Sequence, residues 1–153
     1  MAATSKAEAV RSAGGLMFDR VTAGWDVVVL TADGGDPRSL RILGARSLDL
    51  DIALACRFNG IRPQVIAVDA GLCDADPRVR GRLLKALEEG GCEVRICGGH
   101  RTAPAVSGTL RHRLSAAARA FKAQALAAVA TSETGGIEEV FQKGDLFHHS
   151  KSA

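Results

Sequence analysis

Tyrosine is absent from this 153-residue sequence, and Trp25 with five Phe makes up its whole aromatic complement. A core must then be built from Ala, Val, Leu and Ile, and no aromatic platform for stacking bases is on offer. Long apolar runs are missing too: none approaches the roughly 18 residues that suggest a membrane span. The opening MAATSKAEAVRSAGG lacks a basic segment followed by an apolar one, so no secretory signal is expected and the chain reads as cytoplasmic. Cys56, Cys73, Cys92 and Cys97 contain no CxxC pair. Without a secretory segment they are expected as reduced thiols, Cys56 and Cys92 serving as small buried hydrophobes.

Several catalytic signatures are likewise lacking. There is no GxGxxG, P-loop, HExxH or nucleophile elbow, and no Cys/His pair with triad-like support. Acids are missing from a whole stretch, Val94 to Ser132, which carries Arg95, Arg101, Arg111, Arg113, Arg119 and Lys122, although the net charge is only +3. Such asymmetry suits an acidic protein partner, a small anionic ligand or, less well, nucleic acid.

What is present is an α/β pattern. The run Trp25–Thr31, continuously apolar over Val27-Val28-Val29-Leu30, reads as a strand covered by helices on both faces. Before it, residues 5–23 read as a helix through Val10, Gly14, Met17 and Val21, with Gly14-Gly15 marking close packing or a break and Ala23-Gly24 the stop. Nothing ahead of that helix is long or apolar enough for a strand. Leu40–Leu43 reads as a short second strand, too close behind the first for a parallel crossover, which needs roughly a dozen residues, so it is antiparallel or not adjacent. Residues 49–58 are read as a helix. Gln64–Asp69 is the third strand, and Asp76-Pro77 opens a helix that Gly90-Gly91 closes. Cys92–Cys97 is the fourth strand. A long basic helix is expected over 110–130, with Leu110, Leu114, Ala117, Phe121, Ala125 and Ala128 inward and Lys122 off that face.

The order gives a three-layer Rossmann-like sandwich, about four mostly parallel strands with helices on both faces. The domain is expected to end at 136. Residues 137–153 then form a tail, with a turn of helix at 137–141, whose Val140, Phe141 and Phe147 suit docking on a partner or on a second copy of the chain.

Ligands of open α/β sheets lie beyond the carboxyl ends of the strands. Three loops should meet there: Asp33–Asp36, Asp69–Asp76 and Gly98–Thr102. They nominate Asp33, Asp36, Asp69, Asp74, Asp76, His100 and Arg101 as ligand-binding residues. Turn and cap duties account for Asp33, Asp36 and Asp76 equally well. The expectation is a partner- or small-ligand-binding domain that needs no cofactor. The alternative is a metal-dependent hydrolase or nuclease acting on a phosphate ester, with Asp33, Asp69, Asp74 and Asp76 holding Mg²⁺ and Arg101 clamping the phosphate. Cys97-x-x-His100 is half of a zinc site, completed by Cys73 or an Asp.

Overall fold

The computed structural model describes residues 1–56, 62–98, 106–133 and 135–145. Its framework is a seven-stranded sheet in the order β3-β2-β1-β4-β5-β7-β6. The strands are β1 (Ala2–Ala3), β2 (Val28–Thr31), β3 (Arg46–Asp49), β4 (Val65–Asp69), β5 (Glu93–Cys97), β6 (Val106–Arg113) and β7 (Glu138–Gly144). Strands β1 to β5 run parallel, and β7 is antiparallel to both of its neighbours. The α/β class and the mostly parallel sheet are therefore as the sequence indicates, with seven strands instead of about four.

The helices are α1 (Lys6–Thr22), α2 (Arg38–Ile42), α3 (Leu50–Ala55), α4 (Ala70–Ala75), α5 (Pro77–Glu89) and α6 (Ala116–Ala128). One core joins α1, α2 and α6 to the sheet through Val10, Met17, Val29, Leu40, Leu43 and Leu126. A second, on the opposite face, joins α3, α4 and α5 through Leu50, Leu72, Val79, Leu83 and the inward residues Val94 and Ile96 of β5. Each such side chain contributes about 1.5–3 kcal/mol on burial, so the two layers hold the sheet from both sides. Val29 faces the first core and Leu30 packs on the second, which is why the apolar run of β2 does not alternate.

Five expectations are corrected. A strand does precede α1: Ala2 pairs with Leu30 on one side and Val68 on the other, and a strand enclosed on both sides needs little length. Leu40–Leu43 lies in and just after helix α2. Leu40 and Leu43 are both fully buried at a spacing of three, which a helix puts on one face and a strand on opposite faces. Residues 32–45 thus form a parallel crossover to β3, and Gly44 (φ +77) closes it. The segment Asp69–Asp76 contains α4 between two capping aspartates.

The basic segment 110–130 divides. Its first part is β6, where Leu110, His112 and Leu114 turn inward while Thr109, Arg111 and Arg113 are exposed, a period of two. Only after Ser115, whose hydroxyl accepts the Ala118 N–H, does α6 begin. Its buried face is Ala118, Lys122, Ala125 and Leu126, so Lys122 points in and Phe121 is half exposed, stacked on Phe18 at 4.5 Å. Finally, residues 138–144 are not a helical turn in a tail. They form β7 inside the sheet, with Phe141 fully buried, because Phe141, Glu139 and Leu110 share the face that α1 covers. Phe147 lies outside the described residues.

Candidate active site

The strand order reverses direction at β1. The chain steps outward from β1 through β2 to β3, then returns to lay β4 on the other side. The crevice at the carboxyl ends of β1 and β4 is therefore the switch point, where open α/β sheets place their ligands. Three chain ends meet there: the first turn of α1, the end of β4, and Gly98 after β5.

Asp69 ends β4 and is 5% exposed. It is held by its second duty as the cap of α4, where one carboxylate oxygen accepts the Gly71 N–H at 3.2 Å. Glu8 comes from α1, whose start is fixed by Ser5 accepting the Glu8 N–H at 3.1 Å. The Glu8 carboxylate accepts the Ser12 hydroxyl at 2.8 Å and pairs with Arg11, which also reaches Glu133 at 2.7 Å. Gly98 joins the two acids: a Cβ there would lie 2.9 Å from Asp69 Oδ1 and 3.8 Å from Glu8 Oε1. Since Gly98 also has φ +68, only glycine lets β5 end so near both carboxylates. A cavity of about 300 Å³ opens beside it, lined by Arg11, Ser12, Cys97, Lys122 and Glu139 among others.

Cys97 pairs with Asp69 across the β4–β5 ladder. Burial pushes its thiol up to about 12, with the carboxylates of Asp69 and Glu8 adding to the rise, and its Sγ donates to the Val68 carbonyl at 3.4 Å. A thiol held protonated in this way is a poor nucleophile. Cys73, inside α4, is raised to about 11, again first by burial. His100, the partner of Cys97 in the half-site reading, lies outside the described residues. The two buried cysteines are Cys73 and Cys97, whereas Cys56 is exposed and Cys92 half-buried; all four are free thiols.

The other nominated residues disperse. Asp33 follows β2 on the far side of β1, where its carboxylate accepts the Lys6 N–H at 3.0 Å and pairs with the buried Lys6 ammonium at 3.3 Å. Burial would raise Asp33, but the hydrogen bonds from Lys6 and Thr31 and the Lys6 charge outweigh it and hold the carboxyl below its ordinary value. Asp33 and Lys6 line a separate cavity of about 470 Å³ at the ends of β2 and β3. Asp36 accepts the Arg38 N–H at the start of α2. Asp74 pairs with Arg80 at 3.1 Å, and Asp76 caps α5 while pairing with Arg78 at 2.8 Å. His100 and Arg101 lie outside the described residues. Of the nominated acids, then, Asp69 stands at the switch point, and its companion is Glu8. Ser5-x-x-Glu8, a helix-start signature, was the signal for that companion. Among the described residues no three of His, Cys, Asp and Glu lie close enough to hold a metal ion, so the four-aspartate Mg²⁺ site is not formed by them.

No family model matches this sequence, and no curated protein matches it. Solved structures do match. A triple-mutant deacetylase of the teicoplanin biosynthetic pathway is 14% identical, with 93% of this chain and 95% of that chain covered and a TM-score of 0.67. An antimicrobial-pseudoaglycone deacetylase gives 14%, 93%, 94% and 0.64. The zinc-inhibited form of teicoplanin deacetylase gives 14%, 93%, 96% and 0.62. The expectation of a partner- or small-ligand-binding domain is corrected by these matches, because these solved structures of the same fold are deacetylases. No helix among the described residues is long and apolar enough to cross a membrane. At this level of identity what the chain shares with the deacetylases is the α/β fold, with its mostly parallel sheet between two layers of helices.

Proposed function

We propose that this chain is a hydrolase of the deacetylase type, removing an acyl group from an amine or alcohol at the switch point between β1 and β4. The observation that carries the reading is the approach of both Asp69 and Glu8 to Gly98, in a fold shared with deacetylases. Acyl hydrolysis adds the oxygen of water to the acyl carbon and delivers a proton to the departing nitrogen or oxygen. A buried carboxylate beside a second one suits both proton movements: Asp69 takes the water proton, and the Glu8–Ser12 pair lies within the same crevice for the return. Of the alternative drawn from the acidic loops, a metal-dependent hydrolase or nuclease acting on a phosphate ester, hydrolysis is kept, while the phosphate ester gives way to an acyl compound.

Zinc inhibits one of the solved deacetylases, so a metal bears on that protein's activity. The described residues do not assemble a ligand trio. The free thiols suit a reducing compartment, which favours the cytoplasm.

The test is release of free acid from a panel of N-acetyl and O-acetyl compounds, with N-acetylated amino sugars included, with and without added Zn²⁺, Mn²⁺ or Co²⁺. Turnover that Asp69→Asn and Glu8→Gln each lower by about a hundredfold, in line with loss of general acid–base help, supports the reading. Absence of acid release from every acylated compound under every metal condition rejects it.

A further inference from the structure

Lys122 and Glu139 form a buried ion pair, Nζ to Oε1 2.7 Å, with side chains 5% and 3% exposed. Neither belongs to the crevice chemistry above, yet both line the cavity beside Gly98. Their remaining bonds go into the middle of α1. Glu139 accepts the N–H groups of Gly15 and Leu16 at 2.7 and 2.8 Å, while the Lys122 ammonium donates to the Arg11 carbonyl at 2.7 Å. A regular helix directs the Gly15 and Leu16 N–H groups to the carbonyls of Arg11 and Ser12. The pair therefore inserts itself into the hydrogen-bond ladder of α1 at the two residues whose side chains hold Glu8.

The sequence is shaped to admit it. A Cβ at Gly14 would lie 3.3 Å from Lys122 Cγ, and one at Gly135 would lie 3.3 Å from Lys122 Cδ, so two glycines flank the lysine stem. At Gly15 a Cβ would fall 2.2 Å from Leu114 Cγ, which lets α1 settle against the chain leading into α6. Three segments remote in sequence converge on one turn of one helix.

Stability is a weak reason for such a pair. Desolvating two charges consumes most of what their attraction returns, and well-packed apolar replacements are often neutral or stabilising. Geometry is the stronger reason: a carboxylate with three donors and an ammonium between a carboxylate and a carbonyl leave α1 little freedom to slide or rotate.

Resting on the hydrolase reading, we propose that Lys122 and Glu139 are positioning residues that clamp the first half of α1 so that Glu8 and Ser12 face Asp69. They touch no reacting atom and act through α1.

The experiment uses the full chain, the single variant Glu139→Gln and the double variant Lys122→Met/Glu139→Gln, the latter leaving no unpaired charge behind. Amide hydrogen exchange is read segment by segment, and acid release is read as kcat, KM and pH profile. The expected result for the double variant is a thermal midpoint close to that of the unsubstituted chain, with exchange over residues 6–16 faster by tenfold or more and unchanged elsewhere. kcat should fall tenfold or more at a KM within twofold, and adding Glu8→Gln should lower kcat further by much less than it does alone. Unchanged exchange over 6–16, or an unchanged kcat, overturns the proposal, and so does a double variant that fails to fold, which would assign the pair to stability. If the unsubstituted chain releases no acid at all, the hydrolase reading fails by itself, and the exchange data still decide whether the clamp exists.

Discussion

Gly98 stands against Asp69 so closely that any side chain at position 98 would enter the space of the carboxylate, 2.9 Å from Oδ1. Its φ of +68 adds a second reason, since L-residues there are strained by roughly 1–2 kcal/mol. Gly98→Ala should therefore lower stability by about that amount and reduce acid release more severely, by displacing Asp69. Gly34→Ala is the control, because nothing lies within 4 Å of its Cβ position. Urea midpoints that shift equally for both variants would contradict the close approach.

Gly15 meets a different neighbour. An alanine there collides with the Leu114 side chain, and overpacking of this kind typically costs about 1–3 kcal/mol. Truncating the obstacle should restore part of the loss, so Gly15→Ala/Leu114→Ala should be more stable than the sum of the single changes implies. A double-mutant cycle in urea measures the coupling, and strict additivity would refute the contact.

Acid should act on two surface clasps. Asp33 and Asp19 are both raised by burial and lowered by more through hydrogen bonds, from Lys6 and Thr31 in one case and from Ser115 and His112 in the other, so each ends below its ordinary 3.8. A depressed carboxyl contributes stability that is complete above the unfolded value and is lost as pH falls through the folded one. Unfolding free energy should accordingly decline below about pH 4. Asp33→Asn and Asp19→Asn should each flatten that decline, and a pH series of denaturation curves that keeps its slope in both would oppose the assignment.

The thiols offer a check without substitution. Burial lifts Cys97 to about 12 and Cys73 to about 11, whereas Cys56 is exposed. Titration with an aromatic disulfide at pH 8 should modify Cys56 first and Cys92 more slowly. Cys73 and Cys97 should respond only when denaturant is added, and prompt reaction of Cys97 in the native protein would show its end of β5 to be open.

Ser115 ties α6 to α1. Its hydroxyl accepts the Ala118 N–H at 3.0 Å and donates to Asp19 at 2.6 Å. Ser115→Ala should cost about 1–2 kcal/mol, the usual worth of an N-cap, as read from the thermal midpoint. Ser115→Asn, able to cap, should recover part of it.

The legible parts of this chain were those governed by local chemistry. Asp76-Pro77 and Gly90-Gly91 bracket α5 as their cap preferences require, and the apolar runs of β2, β4 and β5 are strands. Asp69 was found because it ends such a run. What stayed hidden depended on distant partners. Leu110 and Leu114 fit a helix by their spacing of four and a strand by their alternation, and only pairing with Phe141 in β7 decides between them. Lys122 belongs inside only if a carboxylate from the other side of a glycine-rich loop meets it, which no local pattern reveals. Ala2–Ala3 is a strand because its neighbours on both sides make it one. Glu8 carried only a helix-start signal, Ser5-x-x-Glu8, which says nothing of a neighbour such as Asp69.

β7 lies between β5 and β6 in the sheet but follows both of them in the chain. Until residues 138–144 exist β6 has no neighbour and β5 has only β4, so β5 ends as an open edge and β6 remains unpaired during synthesis. The same segment brings Glu139, and until it arrives Lys122 has no counter-charge and α1 no clamp. The parallel half of the domain can thus assemble early while its crevice is set late. A polypeptide halted before residue 138 would own the crevice's acids and lack the means to aim them.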